Sequence, residues 1–253
     1  MLSNIPVWLQ AGFWGWLAAA SLIFGAAAAS LKVLNARLIT GIMSFGCGVL
    51  ISAVAYDLIF TGFKSAGIKP VVIGAVAGSL AYAAANWLVS KKGAHHRKRS
   101  NGAQKPAAQG GGLVIAIGSL LDGIPESVVL GISLLAGGGV SIPMFAAIFL
   151  SNFPEGLSSA VGMRKAGRST LYIYGLWVAI VFLSGLASLL GAAFLKGAAP
   201  ALLAAVNAVA AGALLTMVSD TMLPEAVEGE HGTTGVLVVI GLLIAFALSR
   251  GSS

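Results

Sequence analysis

Residues 170–195 read TLYIYGLWVAIVFLSGLASLLGAAFL, a run without a single charge. A helix that crosses a bilayer needs roughly 20 mostly apolar residues, and this run exceeds that length. Similar runs recur along the chain. They define eight expected spans, at about 8–30, 38–60, 70–90, 112–136, 142–163, 170–195, 200–225 and 233–250. The runs are long and unbroken, unlike the short alternating segments of a membrane barrel. Backbone groups in lipid must bond within their own segment, which makes the spans helical. The expected fold class is therefore an all-α membrane protein, a single transmembrane domain of about eight helices over residues 1–253.

Composition points the same way. Hydrophobic residues make up 58% of the 253 residues, charged residues 9%, and the mean hydropathy is +0.95. A soluble domain is about one-quarter charged. A chain this poor in charge cannot cover itself with a polar surface, and its expected surroundings are lipid. The 34 glycines suit close helix–helix approach in a compact bundle. The N-terminal MLSNIPVWLQAGFWGW has no basic segment ahead of its apolar run, so it reads as the lead into a retained first span. Cys47 is the only cysteine, which excludes an internal disulfide and a Cys-based zinc site.

The formal net charge is +7. In a soluble protein that would suggest nucleic acid; here the basic residues lie between apolar runs and report orientation, and no nucleic-acid partner is expected. The loops after spans one, three, five and seven hold Lys32, Arg37, Lys91, Lys92, Arg97, Lys98, Arg99, Lys105, Arg164, Lys165 and Arg168. The opposite side holds Lys64, Lys69, Lys196 and Arg250. Excess Lys and Arg mark cytoplasmic loops, so both termini are expected to face outward. The lean chain and short loops suit a bacterial inner (cell) membrane. The longest loop, 91–111, is basic, Gly-rich and expected to be flexible. Its His95 and His96 read as solvated side chains, with transient metal holding as the alternative.

The placement of the acids carries the chemistry. Glu228 and Glu230 fall in a loop, whereas Asp57, Asp122, Glu126, Glu155, Asp220 and Glu225 lie within or at the ends of apolar runs. An acid inside a span costs at least about 2.5–3.5 kcal/mol on insertion scales, and such residues usually mark an ion or proton path. Span four contains LDGIPES (121–127), span five SNFPEG (151–156), and span seven ends in SDTMLPEA (219–226). Pro-Glu alone is weak, but here it recurs with an oxygen-bearing residue three or four positions earlier. Asp122 and Glu126 are one helical turn apart, so both carboxylates leave one face. Ser151, Asn152 and Glu155 share a face likewise. Pro125 and Pro154 remove the donors that would bond the carbonyls of Leu121 and Leu150. Freed carbonyls in a membrane must be satisfied again, and a cation can do so. Two such helices face to face would offer an oxygen-rich site for a divalent cation. The plainer reading makes the prolines kinks and the acids protonated or hydrogen-bonded to neighbours; the recurrence argues against it.

LDGIPES and SNFPEG resemble the paired metal-binding motifs of the ZIP (Zrt/Irt-like protein) metal transporters. The resemblance covers the whole chain, with GLASLLGA (185–192) similar to the family's span six and SDTMLPEA to the end of its span seven. It implies a homodimeric bundle in which two inverted three-helix repeats frame spans four and five, with the metal site between those spans. It assigns the metal to Glu126 and Glu155, with Asp122, Ser151 and Asn152 at the accompanying polar positions. Asp122 stands where many members have His, Gly123 where many have Asn, and Ser188 where some have a Glu that helps hold a second metal. These departures imply one principal metal in an all-oxygen site, which widens the expected range beyond zinc. Asp57, Asp220 and Glu225 become candidate residues along the path, with Ser188, His95 and His96.

The leading expectation is transport of a divalent transition metal (zinc, with cadmium, manganese or iron) towards the cytoplasm. The metal is then the transported substrate; no cofactor is expected. The alternative is a proton-coupled carrier of another cation that uses the acids as a relay. An intramembrane hydrolase is disfavoured: no HExxH or GxSxG is present, and all three histidines fall in expected loops. A purely structural membrane protein would not keep such costly acids. The protein is not expected to be an enzyme.

Overall fold

The computed structural model describes residues 5–30, 35–91, 112–136, 139–228 and 232–251. His95, His96, Lys32 and Glu230 lie outside the described residues, as does nearly all of the 91–111 loop.

The described residues form eight helical rods and no strand. Helix α1 is Val7–Ala28, and α2 runs Ala36–Ala53, continued through a π-helical segment Val54–Phe60 and an α-helical end Thr61–Ala66. Helix α3 is Ile68–Val89, α4 Gly112–Ser133 with a 3-10 turn Leu134–Ala136, α5 Ile142–Lys165, and α6 Thr170–Leu195. Helix α7 runs Pro200–Met217, through a second π-helical segment Val218–Met222, to Leu223–Glu228; α8 is Thr234–Gly251.

Local sequence sets the ends of the rods. The side chain of Asn35 accepts from the Leu38 amide at 2.9 Å and starts α2. Ser141 and Ser169 cap α5 and α6 through the amides of Met144 and Tyr172. Each such cap satisfies one of the amides that a helix start leaves open. Gly67 turns α2 into α3 in a single residue, at φ 78°, a conformation that only glycine adopts readily.

Six of the rods are long and apolar enough to cross a membrane: α1, α2, α3, α4, α6 and α7. Their outward faces are lipid-like. Ile73 and Leu80 of α3 are 69% and 66% exposed, and Leu171 and Phe194 of α6 are 85% and 81% exposed. The inside combines an apolar core with an unusual polar content: ten serines with Asp122, Glu126, Asn152, Glu155 and Glu225. The apolar exterior, with the length of the helices, defines an all-α, multi-pass integral membrane protein.

Small residues decide which rods meet. A methyl group on Gly25 would run into the Phe153 carbonyl, and one on Gly156 into the Leu22 carbonyl, so α1 and α5 cross backbone to backbone. Gly48 and Gly241 do the same for α2 and α8, and Gly78 and Gly212 for α3 and α7. With little hydrophobic drive between helices in lipid, such close packing is what joins them. Helices α1, α4, α5 and α6 form one group, through α1–α6, α1–α5 and α4–α6. Helices α2, α3, α7 and α8 form the other, through α3–α7, α2–α8 and α2–α7. The two groups meet chiefly where α2 lies on α5 and α4 on α7.

Candidate functional site

Two helices hold the candidate residues. On α4, Asp122 and Glu126 are 1% and 2% exposed, one turn apart, with Pro125 between them inside the helix. Ser127, beside Glu126, turns its hydroxyl back to the Gly123 carbonyl at 2.8 Å. On α5, Ser151, Asn152 and Glu155 are all buried, with Pro154 inside the helix. Ser151 donates to the Ile148 carbonyl at 3.0 Å, which leaves its oxygen lone pairs as acceptors. The Gly25–Gly156 crossing presses α1 against α5 at the level of this motif. There Ser21 of α1 donates to the Phe149 carbonyl at 2.5 Å.

Asp122 is also held from outside its own helix. The hydroxyl of Tyr82, on α3, donates to Asp122 Oδ1. Tyr82 is fully enclosed, and its hydrogen bond reaches from one helix group to the other. A hydrogen bond to a charged group is worth about 1.5–3 kcal/mol net.

A fourth buried acid enters from α7. Glu225 is buried, and Ser158 of α5 donates to its Oε1 at 3.2 Å. Ser158 lies one turn past Glu155. Asp220 is exposed, within the π-helical segment of α7. Asp57 is half-buried in the π-helical segment of α2 and accepts from Ser249 of α8 at 2.7 Å. Ser188 is buried at the α1–α6 crossing, where its hydroxyl donates to the Ala11 carbonyl at 2.8 Å. That bond and the tight approach of Gly15 and Gly131 make Ser188 part of the helix packing.

Among the described residues the buried charged positions are all acidic: Asp122, Glu126, Glu155 and Glu225. No three His, Cys, Asp or Glu side chains of the described residues stand together as a ready metal cluster. Helices α4 and α5 each pack mainly on other partners, α4 on α6 and α5 on α1 and α2, and share few close approaches. The structure thus buries the polar candidates Asp122, Glu126, Ser151, Asn152 and Glu155 within one bundle, without gathering three of their acids into one cluster.

Three partners escaped the sequence reading: Tyr82, Ser158 and Ser249. Tyr82 did leave a signal, since Gly74, Gly78 and Tyr82 recur every four residues on an otherwise bulky apolar helix. That spacing marks the inward strip of α3. Ser158 and Ser249 left none, because serines are frequent in every run.

No family model matches the chain, and no curated protein matches it.

Proposed function

We propose that this protein carries a divalent transition-metal cation across the membrane towards the cytoplasm, as a ZIP-type transporter. In this reading eight helices span the bilayer, two copies pair, and the metal passes between α4 and α5. Zinc is the first substrate to test, with cadmium, manganese and iron beside it. Glu126 and Glu155 are the principal ligands, joined by Asp122, Asn152 and Ser151.

One observation carries the reading. A bundle with an apolar exterior encloses Asp122, Glu126 and Glu155, each 5% exposed or less, on two proline-containing helices. Burying carboxylates where water is scarce is expensive unless a cation uses them. The oxygen-only set suits hard or borderline divalent ions. The three carboxylates are not gathered into one cluster in this structure, so shared binding of one ion requires α4 and α5 to bring them together. The helix pairing supports an internal repeat. Exchanging α1–α3 with α6–α8, and α4 with α5, turns α3–α7 into α8–α2 and α1–α5 into α6–α4, all of which are observed pairs. The same exchange pairs the π-helical segments of α2 and α7, each of which contains one aspartate.

The test is Zn2+ and Mn2+ uptake into vesicles that hold the purified protein. Glu126→Ala and Glu155→Ala should each lower uptake by more than about 100-fold, beyond what loss of a group that only supports a ligand costs. Normal uptake by both variants overturns the site. Proton flux that needs these acids but no divalent metal would replace the reading with a proton-coupled carrier.

A further inference from the structure

Helix α3 is mostly a lipid-facing rod. It buries only Val71, Gly74, Gly78 and Tyr82. Gly74 and Gly78 have no side chain because the backbone of α7 at Ala205 and Val209 lies against them. Tyr82 follows at the same four-residue spacing and is 2% exposed, packed in the main core cluster with Val129, Leu130 and Leu214. It is the one buried side chain of α3 with a polar atom. Packing alone asks only for phenylalanine there. A hydroxyl buried in a membrane bundle is costly unless it has an acceptor, and the acceptor is Oδ1 of Asp122.

We propose that Tyr82 is a positioning residue for the cation site, an inference that rests on the transport reading above. A carboxylate offers about four lone-pair positions over its two oxygens. The Tyr82 O–H takes one position on Oδ1, which fixes the carboxylate's rotation. Groups that hydrogen-bond a metal ligand set its orientation in the same way. Asp122 is the motif residue that most needs this, because a short side chain reaches the ion over a narrower range of angles than Glu126 or Glu155. The hydroxyl also comes from the other helix group, so the orientation of Asp122 depends on how α3 and α7 sit against α4.

The experiment is a double-mutant cycle on the full-length protein in detergent, read by calorimetric titration with Zn2+ and Mn2+. Tyr82→Phe keeps the ring and removes only the hydroxyl. It should weaken binding about 10–100-fold in the wild-type background, and less than about 2-fold when Asp122 is already Ala. An equal loss in both backgrounds, or no loss in the first, overturns the proposal. A second readout does not depend on affinity. Adding Cd2+ to the wild type should shift an infrared carboxylate band and the tyrosine C–O band together, and Asp122→Ala should abolish the tyrosine shift while Glu126 and Glu155 keep a carboxylate shift. A carboxylate shift without a tyrosine shift counts against Tyr82. The two readings fail differently: if Glu126→Ala and Glu155→Ala abolish binding but the cycle shows no coupling, only the role of Tyr82 falls. If the wild type binds none of these ions, both readings fall.

Discussion

Helices α3 and α5 have nearly the same length and use it in opposite ways. Helix α5 buries fourteen of its 24 residues, Asn152 and Glu155 among them. Helix α3 buries four of 22 and turns Ile73, Leu80 and Trp87 outward. Yet α3 is one of the six helices apolar enough to cross a membrane on composition, and α5 is not. In this pair apolarity follows the lipid-facing surface, and the more enclosed helix carries the more polar groups. The interior rod is the one free to hold chemistry.

This contrast can be attacked from both sides. The largest effects belong inside, where loss of Glu126 or Glu155 should abolish uptake. Next comes the packing that encloses them. Gly156→Leu would drive a side chain into the Leu22 carbonyl of α1; overpacking of this kind costs about 1–3 kcal/mol or more. Thermal unfolding in detergent should show a clearly lowered Tm. Gly78→Leu on the inner strip of α3, against Val209, should behave alike, since the strip and not the helix is what matters. The smallest effect belongs outside. Leu80→Ala, on the lipid face, should change stability by no more than about 0.5 kcal/mol, because lipid covers that position whether or not the helices are joined. A Leu80→Ala protein as unstable as Gly156→Leu would mean that another protein surface covers α3.

Much of the class was legible from residues 170–195 and the runs like it, because a span must be long and apolar whatever its partners. The four-residue spacing of Asp122 and Glu126 likewise put both on one face of α4. What lay beyond the sequence was which helix that face meets. Periodicity describes a helix about its own axis and says nothing about its neighbour, so the expectation that α4 and α5 converge could not reveal how much each relies on α6, α1 and α2. Tyr82 was hidden for the same reason: its partner lies forty residues along the chain, in another helix group. The π-helical segments around Asp57 and Asp220 were equally hidden. Each is a local widening of the helix, and in α7 it lies just before Pro224, whose ring would crowd the Asp220 carbonyl four residues back. The departures at Asp122 and Gly123 were readable as residues, whereas Ser188 acquires its meaning only from the Ala11 carbonyl beside it.

The most direct test of the central claim is a crystal of the protein soaked in Zn2+ or Cd2+, with the ion located by its anomalous scattering. The expected result is one principal peak between α4 and α5, with Glu126 and Glu155 as ligands and an oxygen of Asp122 in reach. A peak held elsewhere, by His95 and His96 for example, with none between these helices, would contradict it.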